Sequence, residues 1–128
     1  MYCIDSTFLI DYLGGDSKAL ALLDTLQREH LVTTPISTFE VLTGAYATHP
    51  KEVARAVALI DTLPMLPLTQ ESIHHAARIQ AQLIIQGKRI GPSDALIAGT
   101  ALSHGCTKII TRNVSHFERI EGIEVVKY

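Results

Sequence analysis

The sequence predicts an α/β fold: a central parallel sheet of four to five short strands with helices on both faces. Two observations carry this reading. Short runs rich in Val, Ile and Thr alternate with longer stretches whose apolar residues recur every three or four positions. Gly or Pro punctuates most changes of pattern. Strands that alternate with helices need crossover connections, and crossovers give a parallel sheet buried on both sides.

Residues 1–5 (MYCID) form a short apolar run that reads as a buried strand closed by Asp5. Residues 6–13 (STFLIDYL) read as a short helix ended by Gly14 and Gly15, which suit a C-terminal cap. Over residues 17–29, Leu20, Leu23 and Leu26 recur at helical spacing. Residues 30–35 (HLVTTP) are β-branched and end in Pro35, marking a second strand. Residues 37–47 (STFEVLTGAYA) follow as a helix. Pro50 suits the first position of the next helix, in which Val53, Val57 and Ile60 share a face. Residues 65–69 (MLPLT) read as a brief third strand. A longer helix over residues 70–86 is expected to turn Ile73, Ala76, Ala77, Leu83 and Ile84 inward. Residues 93–105 (SDALIAGTALSHG) form a helix closed by Gly105. Residues 107–111 (TKIIT) make a fourth strand, and residues 123–128 (IEVVKY) a fifth at the edge.

At 128 residues the chain suffices for one domain, spanning 1–128, and is too short for two. Its 47% apolar content supports a sizeable core. The formal charge of −2 gives no global attraction to nucleic acid, so a polyanionic partner must be held by a local basic patch, a metal or another chain. Cys3 and Cys106 are far apart and lack metal-ligand spacing, which reads as reduced, semi-buried thiols. The first ten residues have no basic region before their apolar ones, unlike a signal peptide. No apolar run approaches a membrane span of ~18 residues. The expectation is a soluble cytoplasmic protein without membrane contact.

In parallel sheets, ligands bind outside the carboxyl ends of the strands. Asp5 closes the first strand. Glu40 lies in the first turn of the helix after the second strand. Asp94 opens the helix that begins after GP, and Asn113 and His116 follow the fourth strand. The topology brings all of these to one end of the sheet. Each acid also has a local explanation. Ser37, Thr38, Phe39 and Glu40 fit a capping box. Ser93 suits an N-cap, with Asp94 favouring the helix dipole by roughly 0.3–1 kcal/mol. Asp5 suits the cap of the helix behind it. Caps, however, need not converge. Two carboxylates ~4 Å apart repel by about 4 kcal/mol at an effective dielectric near 20. A divalent cation turns that repulsion into coordination, and all-oxygen ligands point to Mg²⁺ or Mn²⁺. Such a cation suits phosphoryl chemistry. Under this reading Asp5 and Asp94 are ligands, and Glu40 binds metal or takes the proton of the attacking water. Ser6, Asn113 and His116 orient ligands, water or substrate from behind.

Other chemistries fit less well. No His/Cys spacing suits zinc, and the adjacent His74 and His75 point to different faces of a helix. His30, His49, His74 and His75 read as exposed or locally packed. Asp11, well inside the first helix, reads as facing solvent. The run Asp5-Ser6-Thr7 lacks the D-x-D of haloacid-dehalogenase phosphatases, and there is no glycine-rich phosphate loop. Lys88, Arg89 and Arg112 flank the acids in sequence and are candidates to hold RNA phosphates. Aromatics are only 5%, so base stacking is expected to be sparse.

Four segments together resemble a PIN domain, specifically a VapC-type toxin of a bacterial toxin–antitoxin pair. They are YCIDSTFLIDYL, ISTFEVLTGA, IGPSDALIAGTAL and IITRNVSHFERIEGIEV, in that order along the whole chain. The resemblance implies a PIN-like three-layer α/β/α fold. It implies a Mg²⁺-dependent endoribonuclease acting on RNA, often tRNA or rRNA. It further implies a homodimer held inactive by a cognate antitoxin, in a heterotetramer or larger assembly. The metal-site acids of the family map to Asp5, Glu40 and Asp94. Many relatives have another Asp in the final TRN segment, where this chain has Asn113, Ser115 and His116, so the family's fourth acid has no match here and the number of metal ions, one or two, stays open. The competing class is a non-catalytic PIN-like module binding RNA or protein, which has no need of three carboxylates at strand ends. Independently, the stretches ALALLDTL and VARAVALIDTLP hold more apolar residues than one buried face needs, which predicts a two-fold dimer using part of this region.

Overall fold

The computed structural model describes residues 1–128. The chain forms β1 (Tyr2–Ile4), α1 (Ser6–Leu13), α2 (Ser17–Thr25), β2 (Leu31–Val32), α3 (Pro35–Tyr46) and α4 (Pro50–Ile60). It continues with α5 (Gln70–Ile85), α6 (Pro92–Ser103), β3 (Lys108–Ile110), α7 (Val114–Phe117) and β4 (Glu124–Val126). The four strands form one sheet in the order β2-β1-β3-β4, and every pair is parallel.

Side-chain alternation along these strands creates two cores. Cys3 and Ile109 point to one face and join Leu83, Ile97, Ala98 and Phe117 beneath α5, α6 and α7. Ile4 and Ile110 point to the other and join Phe8, Leu9, Val41 and Ile60 beneath α1 to α4. This is the expected three-layer arrangement. From β1 the chain runs to β2 on one side of the sheet and later to β3 and β4 on the other. The strand order therefore reverses between β1 and β3, and Asp5 and Thr111 sit just past the carboxyl ends of these two strands.

Several local expectations change. Residues 65–69 form no strand. Only a bridge joins Thr33 to Met65, because Pro64 and Pro67 remove ladder donors on either side. The third helix starts earlier than expected. Thr34 is its N-cap, accepting from the Ser37 N–H at 3.2 Å, and Pro35 fills the first position, where a missing N–H costs nothing. Glu40 therefore lies in the second turn, and there is no capping box. Helix α6 is capped by Gly91 with Pro92 first, so Ser93 is inside the helix rather than its cap. On α5, Ile73, Ala77 and Ile84 face outward, while Ser72, Ala76 and Leu83 are buried. The short α7 has too few turns to show a periodic signal. Cys3 and Cys106 are free and fully buried, more so than expected. Burial pushes both thiols up, away from the reactive thiolate. No helix is long and apolar enough to cross a membrane.

The apolar side chains of α2 and α4 are mostly absorbed by the chain's own second core. Leu22, Leu23, Val53 and Leu59 pack on it, and only Leu20 and Val57 stay exposed among the large ones. The most exposed large apolar residues lie elsewhere, at Phe39 and Tyr46 on α3 and at Ile85 on α5.

Helices α5 and α6 pack tightly against each other at Gly99. A Cβ there would lie 2.5 Å from the Ala76 backbone nitrogen and 2.6 Å from its Cβ. Gly→Ala inside a helix ordinarily gains about 1 kcal/mol in propensity. Gly99→Ala should instead lose about 1–3 kcal/mol through overpacking. Adding Ala76→Gly should not restore it, since the backbone clash persists. Denaturant midpoints check both, and a midpoint for Gly99→Ala at or above wild type would refute the close packing.

Candidate active site

Asp5 leaves β1 and caps α1. Its side chain is 1% exposed, so each oxygen needs donors. Oδ1 accepts from the Ser6 N–H at 2.7 Å. Oδ2 accepts from the Thr111 hydroxyl at 2.6 Å and the Thr7 hydroxyl at 3.0 Å. Thr111 reaches Asp5 because β1 and β3 pair in parallel with Ile4 opposite Ile110.

The Ser6 hydroxyl links two of the acids: it donates to Glu40 Oε1 at 3.0 Å and lies 3.3 Å from Asp5 Oδ1. Burial raises the Glu40 carboxyl above the ordinary range. The Asp5 and Asp94 charges raise it further, and the Ser6 hydrogen bond only partly offsets them. Asp94, buried in the first turn of α6, stands 2.7 Å from His116 Nδ1. Its carboxyl is also raised, mainly by burial and then by Asp5, against the lowering effect of His116 and the Asn113 side chain. The Ser6 hydroxyl bridges Asp5 and Glu40 at the carboxyl end of the sheet, and Asp94 opens α6 at the same end, near enough for its charge to act on Glu40.

Ser6, Asn113 and His116 are at this cleft, and His116 makes direct contact with an acid. Ser115 is exposed. Lys88 and Arg89 are exposed and make no ion pair, but their backbone carbonyls accept from Arg119 at 3.3 and 3.1 Å. Arg112 is not free: its guanidinium pairs with Asp11, with Nε donating to Oδ2 at 2.8 Å. Asp11 is accordingly not the solvent-facing residue expected. Its side chain is only 12% exposed and also accepts from the Tyr128 hydroxyl at 2.6 Å. Thr7 and Thr111 were not singled out from sequence, although hydroxyls beside an acid at two strand ends are the signal that marks them.

The donor set is chemically coherent for a hard divalent cation: oxygen-only and largely buried, with two carboxyls raised first by burial and further by their neighbours' charge. No three His, Cys, Asp or Glu side chains are already drawn to a single ligating point. Asp5 and Glu40 share the Ser6 hydroxyl, while Asp94 has His116 as its own partner.

The raised Glu40 fixes a sign. Its proton is held more tightly in the folded state than in the unfolded chain, so stability falls as pH rises through the raised value. Glu40→Gln removes that loss and can still accept from Ser6. In chelator-treated buffer the variant should melt above wild type at pH 7, and the two curves should converge as pH falls into the ordinary carboxylate range. A variant that melts lower at pH 7 would show that burial and neighbouring charge do not raise Glu40 in the folded state.

The PIN domain family model matches residues 2–123. A tRNA(fMet)-specific endonuclease VapC of Shigella flexneri is 30% identical over 124 residues, covering 95% of this chain and 93% of the relative. Its namesake from Salmonella typhimurium is 32% identical over 102 residues, covering 78% and 76%. Among solved structures, DNA-bound VapBC from Salmonella typhimurium superposes with a TM-score of 0.88 at 25% identity, over 98% of this chain and 96% of the other. The chain belongs to the PIN domain family and, within it, to the VapC ribonucleases.

Proposed function

We propose that this protein is a Mg²⁺-dependent endoribonuclease, with Mn²⁺ as an alternative ion, and the toxin half of a type II toxin–antitoxin pair. The observation that carries the reading is the meeting of Asp5, Glu40 and Asp94, from three distant segments, in one half-buried cleft. Relatives named as tRNA endonucleases support RNA as substrate, with tRNA or rRNA the expected class.

Asp5 and Asp94 would hold the ion, with Glu40 beside them. When bound, it supplies Lewis-acid polarisation of the scissile phosphate and a more acidic water. Glu40, raised by burial, is suited to accept the proton of that water as it attacks phosphorus. Ser6 holds Glu40 in place, and His116 holds Asp94. Lys88 and Arg89 are free to take RNA phosphates near the mouth of α6, whereas Arg112 has its charge already paired.

A groove of about 570 Å³ between α1, α3 and α4, lined by Ile10, Leu13, Val41 and Ala45, offers a seat for an antitoxin segment. From there a basic antitoxin side chain would reach toward the acids and compete with metal. The chain itself is expected to form a two-fold dimer, and larger assemblies with antitoxin.

Asp94→Asn tests the reaction. The amide is nearly isosteric and can still accept from His116, so the fold should survive. Cleavage of a tRNA(fMet) transcript should drop by orders of magnitude, and Mg²⁺ should raise the melting temperature of wild type more than that of the variant. Wild-type turnover by the folded variant would sink the assignment. Light scattering tests the dimer: the expected mass is twice the 14.0 kDa of one chain, and a concentration-independent monomer at micromolar protein would refute it.

A further inference from the structure

We propose that the Asp11–Arg112 ion pair is a positioning latch that presents Asp5 to the metal through a single oxygen. The inference rests on the metal reading above. Asp11 is held on α1 at close quarters: its Oδ2 accepts both Arg112 Nε at 2.8 Å and the Tyr128 hydroxyl at 2.6 Å. The Tyr128 ring stands edge-on to buried Phe8, with centroids 5.0 Å apart. Arg112 is thereby anchored to α1 across the end of β3.

The anchoring sets two backbone N–H groups. That of Arg112 donates to Thr7 Oγ1 at 2.9 Å, and that of Asn113 donates to Thr111 Oγ1 at 2.9 Å. Each hydroxyl, already accepting from the backbone, directs its one proton to Asp5 Oδ2, at 3.0 and 2.6 Å. Oδ2 is then saturated. Oδ1 receives the Ser6 N–H at 2.7 Å, while the Ser6 hydroxyl lies closer to Glu40. A carboxylate has about four acceptor sites. Three are filled by these donors; the fourth, on Oδ1, meets only the longer 3.3 Å contact of the Ser6 hydroxyl, whose proton goes to Glu40, and so is open to the cation. Removing the latch frees the loop, lets the two threonines rotate and blurs which oxygen is offered.

Mn²⁺ titration calorimetry on the intact chain tests this. Arg112→Gln removes a positive charge near the site, so simple electrostatics makes Mn²⁺ bind more tightly, whereas loss of the latch makes it bind more weakly. The expected result is about a tenfold weaker affinity for Arg112→Gln and for Asp11→Asn, with the double variant no weaker than either single. Asp24→Asn, an exposed carboxylate on α2, should leave affinity unchanged. Where a latch variant melts early, Thr7→Val breaks the relay while sparing the ion pair. It should lose the same affinity, and Thr7→Ser should keep it. Unchanged or tighter binding by Arg112→Gln, additive losses in the double variant, or wild-type affinity in Thr7→Val overturns the latch. A wild type that binds no Mn²⁺ overturns the metal reading as well, so the two failures are distinct.

Discussion

Burying the carboxyl group of Asp5 imposes the demand that the rest of the site answers. A polar group this well hidden is tolerable only with several donors around it, because each oxygen left unpaired costs about 1–3 kcal/mol or more. Local chain supplies two of them, the Ser6 N–H and the Thr7 hydroxyl. The third, Thr111, comes from 106 residues away and arrives only because β3 lies beside β1 in parallel register. The central strand pair and the solvation of one side chain are thus the same requirement, and the sheet order places both at the point where ligands collect in such folds.

Glu40 and Asp94 meet a different condition. Neither is as fully solvated by protein donors, and both have carboxyls raised by burial and by neighbouring negative charge. Negative charge gathered in one cleft costs stability, a tension that a bound cation would relieve. His116 moderates it at Asp94, where Nδ1 lies at hydrogen-bond distance. In this chain an imidazole therefore stands at the end of the cleft where a further acid would add to the repulsion.

Much of this was legible from residues alone, and the exceptions have definite causes. Asp5, Glu40 and Asp94 stood out because three capping acids have no local reason to converge. The alternation of short strands with helices was enough for the layers. The helix starts differ from the sequence reading because Pro35, read as the end of a strand, and Pro92, read as lying outside a Ser93 cap, each serve as a first helical position. The inward face of α5 was shifted because Ser72, bonded to Ser103, takes an inward place that apolar counting assigns to Ile73. Asp11 was beyond local reading: its partner is 101 residues away in sequence, and only the fold shows that Arg112 passes over α1.

The edges of the sheet have a consequence for association. Strand β2 spans only two residues and gives way to the single Thr33–Met65 bridge, while β4 at the opposite edge has three. Neither edge offers enough free backbone to template an incoming strand, which guards against the edge-to-edge stacking that leads to aggregates. Partners that bind by β-augmentation have little to add themselves to. Recognition is left to the helical faces, where Phe39, Tyr46 and Ile85 remain uncovered, and specificity must be written in side-chain shape rather than in main-chain hydrogen bonds.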